Sequence, residues 1–138
     1  MKRRSLITGL LVAWAATGPA WAQVAPSAAE AAAYSGLHAA AHQGDSAKIA
    51  RLAAGGAAID ATDARGRTPL HVATFARQRE AIRALVKAGA DIHRLENDRY
   101  DAVTIASVAD DEETLRVLLQ LGASAKQMTS RYDGTALI

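Results

Sequence analysis

Apolar positions fall at helical spacing in short bursts along the chain, separated by polar breaks that contain glycine. Thr68–Ala90 shows the pattern most fully. Thr-Pro-Leu-His opens it, two apolar-faced helical segments follow, and Gly89-Ala90 closes it. The same layout recurs 33 residues earlier and 33 residues later. Leu37, Leu70 and Val103 align, as do Ala40, Ala73 and Ala106; His38 aligns with His71. Gly56-Ala57, Gly89-Ala90 and Gly122-Ala123 end the three units. A fixed period with two helices per unit predicts stacked repeats, each burying its apolar face against a neighbour.

The pattern predicts helices near Gly36–His42 and Ser46–Ala54, near Pro69–Ala76 and Arg79–Ala88, and near Ala102–Ala109 and Glu112–Leu121. Gly44 stands between the first two, where a left-handed residue lets the chain reverse. Pro69 occupies a first helical turn, where its missing N–H is harmless. Loops around Ala58–Arg67 and Asp91–Tyr100 are expected to join the units. Ser27, within a short linker that contains Pro26, is placed to cap a helix running through Glu30 to Ala33.

Thr68-Pro69-Leu70-His71, the period and the closing Gly–Ala pairs together resemble the ankyrin repeat, from about Glu30 to Met128 with no insertion between units. The resemblance implies an all-α fold, an ankyrin-repeat solenoid of stacked helix-turn-helix units joined by hairpin loops. Its repeats would occupy residues 30–62, 63–95 and 96–128, after a linker at 23–29. His38 and His71 would bridge by hydrogen bonds to neighbouring repeat backbones, with Gly89 and Gly122 as further structural positions. Asp133-Gly134-Thr135-Ala136-Leu137-Ile138 resembles the opening of a fourth unit displaced by one residue, so residues 129–138 are expected to begin an incomplete repeat. That suggests a truncated form of a longer array; the alternative is a natural short chain whose tail folds back over the third repeat.

Three departures from the family pattern stand out. Arg77 and Asp110 occupy the position of Gly44, and Arg99 that of Gly66. Asp tolerates a left-handed backbone, whereas Arg is destabilised there. The third unit reads Asp101-Ala102-Val103-Thr104 in place of Thr-Pro-Leu-His, which removes the side chains expected to hydrogen-bond its neighbour.

Residues 1–22 change the charge picture. Lys2, Arg3 and Arg4, an apolar run from Leu6 to Ala16, Gly18-Pro19 and the small residues Ala20 and Ala22 read as a secretory signal cleaved after Ala22. Gly and Pro interrupt the run before the ~20 apolar residues a membrane span needs, so no stable anchor is expected after cleavage. Arg3-Arg4-Ser5-Leu6-Ile7 partly resembles the twin-arginine export motif, which leaves both export routes open and points to a periplasmic or secreted protein. The whole chain has a formal charge of +2; without the leader, 13 basic face 14 acidic side chains. The argument from a basic chain to nucleic acid then disappears. There is no cysteine, which excludes disulfides, thiolate metal sites and lipidation through Cys.

Little in the sequence suggests catalysis. His38 and His42 are four apart but lack the Glu of a zinc-binding His-Glu-x-x-His pair, and stacked helices lie ~8–10 Å apart, too far for equivalent histidines to share a metal. Asp110-Asp111-Glu112-Glu113 could form a cation site, but it fits better as a cap with first-turn acids, since a calcium loop alternates its ligands around a Gly. Gly55-Gly56 ends a helix rather than opening one, so it is no phosphate loop. No metal, cofactor or catalytic residue is expected.

The resemblance instead implies a concave face, built from hairpin loops and the exposed side of the first helix of each unit, that binds a protein partner. Its loop column would read Tyr34, Arg67, Tyr100, its helix column His42, Phe75, Val108, with Arg65 and Asp98 beside the loops. Tyr and Arg are enriched at binding hot spots, although Tyr34, Tyr100 and Phe75 could equally pack between repeats. Arg65, Arg67, Arg77, Arg79 and Arg83, followed by the acidic run, give a bipolar surface. The expected function is a non-catalytic protein-binding scaffold. The alternative is a regulator or assembly factor of one exported enzyme or toxin; a metal- or ligand-binding role rests only on His42 and Asp110–Glu113.

Overall fold

A computed structural model describes residues 23–125. The expected leader with its cleavage site at Ala20 and Ala22, and the expected fourth repeat, lie outside the described residues. The described residues form seven helices and no strand. They are α1 (Ala28–Ala33), α2 (Gly36–Gln43), α3 (Ser46–Ala54), α4 (Pro69–Phe75), α5 (Arg79–Lys87), α6 (Ala102–Val108) and α7 (Glu112–Gln120). α1 starts at a full capping box, in which Ser27 Oγ accepts the Glu30 N–H and the Glu30 carboxylate accepts that of Ser27. α2 runs one residue further than the apolar pattern predicts, while α4, α5, α6 and α7 stop one residue short, at the C-caps Ala76, Ala88, Ala109 and Leu121.

The pairs α2/α3, α4/α5 and α6/α7 stack in two layers: α4 packs between α2 and α6, and α5 between α3 and α7. In the first-helix layer α4 and α6 are largely interior, while α2 buries Leu37 and Ala39 to Ala41. Leu70, His71, Val72, Ala73 and Thr74 of α4 are buried, as are Ala102 to Ala106 of α6. Second helices bury one stripe each, Ile49 in α3, Ala81, Ile82 and Leu85 in α5, and Thr114, Val117 and Leu118 in α7. Among the described residues no helix is long and apolar enough to cross a membrane.

His71 ties its repeat in two directions. Its Nδ1 accepts the Thr68 N–H at 2.9 Å, which leaves the proton on Nε2, and Nε2–H donates to the Arg94 carbonyl of the next loop at 2.7 Å. His38 makes an inter-repeat bond as expected, but to a different carbonyl, that of Arg67 at 2.8 Å. Ser35 stands where Thr68 does and makes no side-chain cap. In the third unit the cap survives with altered chemistry, because Asp101 Oδ1 accepts both the N–H and the hydroxyl of Thr104. Burial raises the Asp101 carboxyl above its ordinary value despite those two bonds from Thr104.

A second set of ties was not anticipated. Asp60 accepts the Asp91 N–H at 3.0 Å, and His93, one period later, accepts the Ser124 N–H at 3.2 Å through Nε2. The reversal between helices is left-handed in every unit, at Gly44 (φ 75°), Arg77 (φ 58°) and Asp110 (φ 55°). A side chain at Gly44 would run into the carboxamide of Gln78, which donates to the His42 carbonyl at 3.1 Å. In the next unit Arg77 accepts the backbone strain, and its guanidinium lies 3.8 Å from Asp111, the equivalent of Gln78. An amide contact between repeats one and two thus becomes an ion pair between repeats two and three.

Candidate protein-binding face

The loops are braced from within. Asp63 Oδ1 accepts the N–H groups of Arg65 and Arg67 at 2.8 and 2.9 Å; one period later Glu96 Oε1 accepts those of Asp98 and Tyr100 at 2.8 and 3.0 Å. The backbone closes each loop, Asp63 N–H to the Arg67 carbonyl and Glu96 N–H to that of Tyr100, both at 3.0 Å. Burial opposes the charge on Asp63, yet hydrogen bonds from the Arg67 N–H, the Tyr34 hydroxyl and the Arg65 N–H outweigh it and hold the carboxyl below its ordinary value. At Glu96 burial wins over the bond from Tyr100 and the pKa rises. The signal for both carboxylates was present in the sequence as acids one period apart, two before the flanking side chains of each loop.

The loop column differs from its sequence-based expectation. Tyr34 is half-buried, and its hydroxyl donates to Asp63 Oδ2 at 2.8 Å. Burial, with that bond and the Asp63 charge, pushes its pKa to about 12. Its ring lies 5.4 Å from that of His38 and 6.5 Å from that of His42, centre to centre. Arg67 is not an exposed hot-spot residue: it is 2% exposed, with its guanidinium 4.5 Å from the centre of the Phe75 ring. What covers it is the Gln23–Ala25 segment, whose Val24 carbonyl accepts from Arg67 Nη2. Tyr100 is half-buried, and Arg65 and Asp98 are exposed. Arg65 pairs with Glu30 at 3.0 Å.

The helix column is more open. His42 and Phe75 are half-buried and Val108 is 61% exposed. Gln23, Ala25, Phe75, Arg77, Val108 and Ala109 surround a shallow pocket of about 280 Å³. The structure therefore joins Arg67, Phe75 and Val108 into one place and leaves Tyr34, fixed on Asp63, in a separate cluster with His38 and His42.

The charges neutralise one another across repeats more than a bipolar surface would require. Arg79 pairs with Glu113 at 3.2 Å and Arg77 approaches Asp111. Asp111 caps α7 by accepting the Thr114 N–H at 3.3 Å, with Glu112 and Glu113 in the first turn. Among the described residues no three His, Cys, Asp or Glu side chains are grouped to hold a metal ion.

A protein-family model described as ankyrin repeats (3 copies) matches residues 37–129, two thirds of the 138-residue chain. Comparison with curated proteins gives no match.

Proposed function

Since this chain belongs to the ankyrin-repeat family, whose repeats are generally protein–protein interaction modules, we propose that it is a non-catalytic scaffold acting through its concave face. The working surface is the Phe75–Val108 pair in successive first helices, with Arg67 against Phe75 and with Tyr100, Arg65 and Asp98 carried on the loops. The observation that supports this most directly is Val108. Five residues of α6, Ala102 to Ala106, are buried, yet this large apolar side chain at its end is 61% exposed beside a pocket. A rigid aliphatic and aromatic step between charged loops is the composition of a protein-binding patch. The basic leader and the Ala20–Ala22 site read from the sequence support a periplasmic or secreted location for this activity.

The test is affinity capture from periplasmic extract with residues 23–138, beside Val108→Asp and Phe75→Ala variants shown by circular dichroism to be equally helical. Val108 is exposed, so its substitution leaves the core intact. A protein captured by the parent and lost by both variants supports the reading. A single stoichiometric band favours a dedicated regulator or assembly factor over a general scaffold. Retention of all bands by both variants refutes this face as the binding surface.

A further inference from the structure

Gln23–Ala25 lies on this face, and the way it is held indicates what the face recognises. Guanidinium is always charged and offers five N–H donors. In Arg67 only Nη2 has an acceptor, the Val24 carbonyl; Nε and Nη1 are buried with no hydrogen-bond partner. Gln23 Nε2 is likewise buried and unpartnered. A buried donor without an acceptor is destabilising, and a buried charge without a counter-charge more so. The Phe75 ring beneath the guanidinium offsets only part of this. Glu96 is near enough to feel the Arg67 charge, but neither carboxylate of the flanking loops hydrogen-bonds the guanidinium: Asp63 accepts from Arg65, Arg67 and Tyr34 through backbone N–H groups and a hydroxyl, and Glu96 from the N–H groups of Asp98 and Tyr100. A second guanidinium, that of Arg77, lines the adjoining pocket.

The covering segment is held weakly. Val24 is 55% exposed, so its side chain contributes little burial, and its carbonyl on Arg67 is the tie that holds it. A neutral carbonyl takes one N–H of the fork. A carboxylate would take two in parallel and neutralise the charge.

We propose that Arg67, backed by Phe75, is a recognition site for a carboxylate on an extended protein segment, and that Gln23–Ala25 is its built-in occupant, displaced when the partner binds. The partner presents a free C-terminus, preceded by small apolar residues that lie beside Phe75 and Val108 in the pocket that Gln23 and Ala25 line. This deepens the concave-face reading and rests on it.

The test uses the whole chain labelled with ¹⁵N and two probes, N-acetyl-Gln-Val as the free acid and as its carboxamide. They differ only in the group that takes the place of the Val24 carbonyl. The Arg67 Nε–H signal and the Phe75 and Val108 amides are followed by NMR. The free acid is expected to shift Arg67 Nε–H and to reach half-saturation at roughly tenfold lower concentration than the carboxamide, the usual advantage of a charge-assisted fork. Arg67→Lys, which keeps the charge and loses the fork, is expected to narrow that preference; if it does not fold, the two parent titrations decide alone. Equal affinities that still move Phe75 and Val108 overturn the carboxylate assignment and leave the concave face standing. No shift with either probe also overturns the assignment, and leaves the face itself to the Val108→Asp capture experiment.

Discussion

Mild acid is expected to destabilise the array through His71. The ring is 1% exposed, and its Nδ1 is already the acceptor for the Thr68 N–H, so a proton there would face a donor in a buried site. Burial, with the nearby Arg67 charge, lowers its pKa from 6.5 to about 4, even though the Arg94 carbonyl favours the charged form. The native state thus holds the ring neutral where the unfolded chain protonates it. Stability from this group is complete above pH 6.5 and is lost as pH falls toward 4. Between pH 7.5 and pH 5 the loss is about 2 kcal/mol, a large share of the stability of a domain this size. As a midpoint shift that is roughly 10 °C.

Burial raises the carboxyls of Glu96 and Asp101, so they act in the opposite direction, adding stability as pH falls through their range. The measurement is therefore a difference. Urea unfolding followed by circular dichroism at pH 7.5, 6 and 5 is compared between the parent and His71→Gln, which retains a donor and an acceptor and cannot titrate. The parent is expected to lose about 2 kcal/mol more than the variant over that range. A parent-minus-variant difference that does not change with pH refutes the reasoning, as does an NMR titration placing the His71 pKa near 6.5.

Three further outcomes follow from the same geometry. Arg99 is exposed with φ 66°, so Arg99→Gly is expected to raise stability by about 0.5–1 kcal/mol, read as a higher urea midpoint. Tyr34→Phe removes the donor to Asp63 Oδ2 and is expected to cost about 1 kcal/mol. In the same variant the Asp63 pKa, followed by carboxyl NMR, rises toward its ordinary value; an unchanged pKa would exclude that hydrogen bond as a cause of the shift. Asp101→Ala loses the α6 cap and should cost about 1 kcal/mol in thermal unfolding, whereas Asp101→Asn keeps an acceptor and should cost less.

The repeat was legible because a helix that buries one face must repeat its apolar residues at fixed spacing, and a solenoid must repeat that helix at a fixed period. Leu70, Ile82 and Leu85 are wholly interior for that reason alone, without reference to any other part of the chain. Even the left-handed turns followed, since Arg77 and Asp110 are bound to adopt the conformation that Gly44 adopts. Position in the repeat, however, does not fix exposure at the surface. Arg67 and Tyr100 hold equivalent places one period apart; one is buried and the other half-exposed, because a segment 43 residues before Arg67 crosses it and no periodic rule describes that segment. The same holds for His38, which bonds the Arg67 carbonyl, whereas His71, its equivalent one period later, bonds that of Arg94. Period therefore determines the scaffold, while binding chemistry is set by the residues that interrupt it. Arg67 with its two unpartnered nitrogens is the clearest interruption, and for that reason it, rather than the aromatic column, is where the partner's chemistry should be sought.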